Sequence, residues 1–60
     1  MNPLLILQAR AEARAYMFHI GEFDYETATD PLYAYAIENG IVSEFGIDTV
    51  SNIITAAFEQ

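Results

Sequence analysis

The sequence predicts an all-α fold: one compact domain over residues 1–60, with helices at about 3–20, 31–39 and 48–59. Three observations carry that expectation. Apolar residues recur at helical spacing in segments closed by capping residues and glycines. The only stretch with a period of two has no second strand to pair with. And a 60-residue chain with 53% hydrophobic residues is too apolar to stay disordered and too short for two cores.

The first helix has punctuation at both ends. Asn2 is placed to cap it, Pro3 suits its first turn, and Gly21 suits its stop. Ala9, Ala11, Ala13 and Ala15 favour helix between them. At helical spacing the segment shows two apolar faces. Leu4, Leu7, Ala11, Ala15 and Phe18 form one; Leu5, Ile6, Ala9, Ala13, Tyr16, Met17 and Ile20 form a broader one. A helix apolar on two sides is sandwiched, so one face packs on its own domain and the other asks for a neighbour. Leu5, Ala9, Ala13, Tyr16, Met17 and Ile20 are therefore the expected oligomer face.

Residues 22–30 read as an acidic loop. Glu22, Asp24 and Glu26 alternate with Phe23, Tyr25 and Thr27, a pattern of extended backbone. Asp30 followed by Pro31 is a strong helix start, with the aspartate as N-cap. The second helix then stops at Gly40. A short helical turn near residues 43–46, capped by Ser43 and ended by Gly46, leads to a last helix capped by Asp48. That helix is cleanly amphipathic, with Val50, Ile53, Ile54, Ala57 and Phe58 on one face and Asp48, Asn52, Thr55 and Glu59 opposite.

Charge excludes several functions. Nine acids stand against two arginines, for a net charge of -7. Residues 1–21 carry +1 and residues 22–60 carry -8, with no lysine anywhere. Phosphate backbones and anionic membrane surfaces both repel such a chain, so neither direct nucleic-acid binding nor membrane binding is expected. No basic leader precedes a long apolar run, and no run approaches the roughly 18 residues of a transmembrane helix, so the expected location is the cytoplasm. Zero cysteines remove disulfides and thiolate metal sites.

Motifs for chemistry are sparse. Glu22, Asp24, Glu26 and Asp30 do not form a calcium loop: counting from Glu22 or Asp24, a threonine occupies the sixth position where glycine is needed. His19 has no partner at the i, i+3 or i, i+4 spacing of bundle metal sites, and suits the negative end of the helix dipole instead. No nucleophile elbow or phosphate-binding glycine loop is present. The expectation is no enzyme, no metal and no cofactor. Arg10 and Arg14, four apart, invite acidic cover from Glu38, Glu44 or a second copy.

The segment Phe45 to Thr55, FGIDTVSNIIT, resembles the entry to the recognition helix of helix-turn-helix repressors over about ten residues. The resemblance implies a DNA-binding ancestry. The segment departs from that pattern in length, Thr49 arriving two residues early, and no basic side chain accompanies Asn52.

The charge layout points to a non-enzymatic protein-interaction module. In an extended segment alternate side chains stand about 6.6 Å apart, comparable to the step between neighbouring phosphates. Glu22, Asp24, Glu26 and Asp30, interleaved with Phe23 and Tyr25 and extended by Glu38, Glu44, Asp48 or Glu59, would then enter a basic groove built for nucleic acid. In size and charge the chain is similar to phage-encoded blockers of defence nucleases, anti-CRISPR proteins among them. The expected partner is a protein with a basic surface. The alternative is a second copy of the chain, in a homodimeric adaptor whose acids only solubilise.

Overall fold

The computed structural model describes residues 1–59; residue 60 lies outside them. Four helices follow one another: α1 (Pro3–His19), α2 (Tyr25–Glu38), α3 (Ile41–Phe45) and α4 (Ile47–Phe58). Among the described residues there is no strand, and no helix is long and apolar enough to cross a membrane. The all-α expectation holds, with the predicted third turn realised as a short helix of its own.

α1 starts and stops as its ends predict. The Asn2 side chain accepts the Leu4 N–H at 2.9 Å, and Pro3 opens the first turn. At the other end Gly21 takes φ 83°. Its N–H donates to the Phe18 carbonyl at 3.1 Å, and the Glu22 N–H donates to the Met17 carbonyl at 2.9 Å. These paired bonds form a Schellman motif, whose left-handed residue carries no steric penalty when it is glycine. Leu7, Ala11 and Ala15 are buried, and Leu4 and Phe18 pack beside them. The broader apolar face looks outward.

The second helix corrects the sequence reading. α2 begins at Tyr25, six residues before Pro31, so most of the expected 22–30 loop is helix and the connection between α1 and α2 is short. Asp24 is the N-cap: its Oδ1 accepts the Thr27 N–H at 2.7 Å. Asp30 lies inside the helix and caps nothing. Pro31 is likewise interior, where it supplies no N–H to the carbonyl of Thr27 four residues back. α1 answers that defect. Arg14 Nη2 donates to the Thr27 carbonyl at 2.9 Å, and Arg14 Nε donates to the Ala28 carbonyl at 2.7 Å. The helix therefore continues through a proline that the sequence reads as its start. Thr29, buried in the first half of α2, turns its hydroxyl onto the Tyr25 carbonyl at 2.9 Å.

Two smaller corrections concern the C-terminal half. α3 begins at Ile41 behind Gly40, and Ser43 is an exposed residue within it rather than a cap. α4 begins at Ile47; Asp48 sits in its first turn and makes no capping bond. There its carboxylate still faces the positive end of the helix dipole. Gly46 joins the two helices at φ 90° and ψ 152°, a region open to glycine alone. One residue thus takes the place of the three- to four-residue turn of a helix-turn-helix.

The core mixes larger side chains and alanines in nearly equal number. Leu7, Leu32, Ile41, Val50 and Ile54 fill it; Ala11, Ala15, Ala28, Ala36 and Ala57 line it. Alanine at a helix contact lets the axes approach toward the near end of the usual 8–10 Å range. α1 packs on both α4 and α2, and α3 bridges α2 to α4. Tyr33 and Ser51 join α2 to α4 through their hydroxyls at 3.3 Å. Phe18, Tyr25 and Phe58 close one end of the molecule, each ring 5.4 to 5.7 Å from the other two. They pin the C-terminus of α1, the N-terminus of α2 and the C-terminus of α4 together.

Candidate interaction surface

All nine carboxylates are exposed: Glu12, Glu22, Asp24, Glu26, Asp30, Glu38, Glu44, Asp48 and Glu59. The fold sorts eight of them into two groups. Glu22 and Asp24 lie in the connection before α2, with Glu26 in its first turn and Asp30 one turn on. Glu59 follows Phe58, whose ring touches Tyr25, so it belongs to the same end. Glu38, Glu44 and Asp48 stand at the other end, where α2 passes into α3 and α4. The two ends are separated by α2, which is about 21 Å long at 1.5 Å per residue.

The expected ladder of alternating side chains in an extended segment is absent, because Tyr25 to Asp30 is helical. Glu26 and Asp30 instead share a helix face, one turn apart and about 6 Å along the axis. Phe23 and Tyr25 both make contacts within the chain. Phe23 lies half-buried beneath the Arg14 guanidinium, 4.9 Å from its ring centroid, and Tyr25 is engaged by Phe18 and Phe58. The carboxylates reach solvent at this end, and so does the outer side of the Tyr25 ring, which is 47% exposed.

Both arginines have contacts within the chain, Arg14 through hydrogen bonds and the exposed Arg10 through a ring alone. Arg14 serves two carbonyls of α2 and the Phe23 ring, and the Arg10 guanidinium sits over Tyr35, 4.3 Å from its centroid. The acidic cover expected from Glu38 or Glu44 is replaced by rings and backbone oxygens.

Asp24 is the one acid with a resolved shift. The Thr27 N–H, and after it the Thr27 hydroxyl, hold its carboxyl below the ordinary range. The folded chain thus binds this proton more weakly than the unfolded chain. The cap contributes fully above the unfolded value near about pH 4 and is lost as pH falls through the lowered folded value. Asp24→Asn keeps a capping oxygen without the charge. Thermal melts of both chains are expected to separate near neutral pH and to converge below about pH 4; a gap that stays constant down to acid would contradict this role.

On α1, Leu5, Tyr16 and Ile20 are 60%, 64% and 52% exposed, with Ala9 and Ala13 exposed between them and Met17 half-buried at the edge. Two shallow clefts flank the helix. One, of about 260 Å³, lies between α1 and α4 and includes Gln8, Glu12 and Asn52; the other, of about 240 Å³, lies between α1 and α2 and includes Arg10, Arg14 and Tyr35. Neither pairs a nucleophile with a base. Among the described residues no three His, Cys, Asp or Glu side chains gather as a metal site.

Sequence reasoning missed Arg14 and Asp24 as structural residues. A signal for the second was present: Ala28, Leu32 and Ala36 continue the helical period backwards across Pro31. Comparison with protein families, curated proteins and solved structures finds no match for this chain.

Proposed function

We propose that the protein is a non-enzymatic, cytoplasmic interaction module whose acidic surface binds a basic surface on a nucleic-acid-handling protein and competes with nucleic acid for it. The observation that supports this reading is the division of charge. Every carboxylate faces solvent, while Arg14 is bound to two carbonyls of α2 and Arg10, though exposed, lies over the Tyr35 ring. A basic partner meets carboxylates at both ends of α2, eight acids against the single exposed arginine, Arg10. The helical pair Glu26 and Asp30 repeats at a step comparable to that of neighbouring phosphates, so arginines placed to grip a phosphate strand can grip this face. Blockers of phage origin that occlude defence nucleases are the class of protein this describes.

Opposite charges steer such a complex, and salt screens them. The tagged chain, incubated with lysate of its source organism, is expected to retain a basic nucleic-acid-binding protein at low salt and to release it to high salt or to added nucleic acid. A partner that neither salt nor nucleic acid displaces would overturn the proposal.

A further inference from the structure

The outward face of α1 has no role in that reading. Seven residues, Leu5, Ile6, Ala9, Ala13, Tyr16, Met17 and Ile20, cover a third of the helix circumference without a charge among them. The helix is about 25 Å long at 1.5 Å per residue, against a longest molecular dimension of 32 Å. This strip therefore runs most of the length of the molecule. We propose that its occupant is a second copy of this chain, paired antiparallel about a two-fold axis near Glu12 and Ala13.

Two features of the face favour a second copy. The first is its size pattern. A two-fold interface must be complementary to itself. Turned end for end, the strip sets Leu5 against Ile20 and Ala9 against Tyr16, so a large residue meets a small one on either side of the axis and the outer pairs are alike in volume. Parallel pairing would stack Tyr16 on Tyr16 and leave alanine opposite alanine, with a gap between the bulky ends. Alternation of large and small across a seam is how packed helices fill space.

The second feature is charge. Two chains at -7 repel over most of their surfaces. α1 carries one carboxylate, Glu12, at the rim of the strip, where Gln8 donates to it at 3.3 Å; the other eight acids lie on residues 22–59. Two chains that approach on this face set one like-charge pair together, the two exposed Glu12 carboxylates on the same rim beside the axis, and keep the other acids apart. Pairing there leaves the acidic ends of α2 uncovered and makes the particle bivalent for a basic partner. The outward third of one helix is near the lower limit of specific interfaces, so the dimer is expected to be concentration-dependent.

Sedimentation equilibrium over micromolar to millimolar concentration is expected to show a monomer–dimer equilibrium that shifts toward dimer as salt rises, the opposite of a complex with a basic partner. Ala13→Asp, at an exposed position, is expected to leave the helical circular dichroism intact and the chain monomeric. Orientation is read from cysteines placed in a chain that has none: Leu5→Cys mixed with Ile20→Cys is expected to oxidise mainly to the mixed disulfide. A monomer at every concentration, or a dimer untouched by Ala13→Asp, would overturn the proposal. Position 5 crosslinking chiefly to position 5 would overturn the antiparallel pairing.

Discussion

Arg14→Met is expected to destabilise the fold by about 2–3 kcal/mol, the range for removing hydrogen bonds made by a charged donor. Methionine keeps much of the apolar stem, so the loss reports the guanidinium. That group does three things at once: it serves the Thr27 carbonyl, serves the Ala28 carbonyl, and covers the Phe23 ring. The first is the telling one, because Pro31 leaves Thr27 without its helical partner. Pro31→Ala restores that N–H, and an interior proline costs a helix about 3 kcal/mol, so this variant alone is expected to raise stability. The carbonyl then has a second donor, and Arg14→Met in the Pro31→Ala background is expected to cost about 1 kcal/mol less than in the native chain. Urea denaturation of the four chains completes the cycle. Equal costs in both backgrounds would show that Arg14 does not stand in for the missing bond.

Ile54→Ala carries the other large effect. Ile54 is wholly buried in α4 where that helix packs on α1. Truncating a buried isoleucine to alanine costs about 2–5 kcal/mol, a transfer loss plus a cavity. A chain of this length has a total stability of roughly 3–9 kcal/mol, so the variant is expected to lose a large share of it and to unfold at a much lower urea concentration. The alanines that line the core are too short to reach into the space Ile54 leaves. A loss under about 1 kcal/mol in the same denaturation experiment would mean that the core closes over the gap more readily than close-packed helices allow.

Much of the fold was legible from local rules. Asn2, Pro3 and Gly21 bound α1, Gly40 and Gly46 break the chain, and the apolar face of α4 is the face it buries. The two-sided character of α1 was legible too: Leu7, Ala11 and Ala15 go inward, and Leu5, Tyr16 and Ile20 go out. What local rules could not supply was α2. An Asp-Pro pair is a strong start signal, and only a donor from another helix makes an interior proline tolerable; the residues of that contact are 13 and 14 apart in sequence. The same contact explains the candidate site. With Tyr25 to Asp30 helical, the carboxylates no longer alternate with the rings, so the acidic feature survives as a helix face and a cap instead of an extended ladder.

The central claim is that this acidic face recognises a basic surface. Its most direct measurement repeats the lysate capture with Glu22→Gln, Asp24→Asn, Glu26→Gln and Asp30→Asn combined, which takes the net charge from -7 to -3. Asparagine keeps the cap on α2, and circular dichroism checks that the helices remain. The basic partner held by the native chain at low salt is expected to be lost from the neutralised one. Equal capture by both chains would contradict it and leave those carboxylates as a solubilising coat.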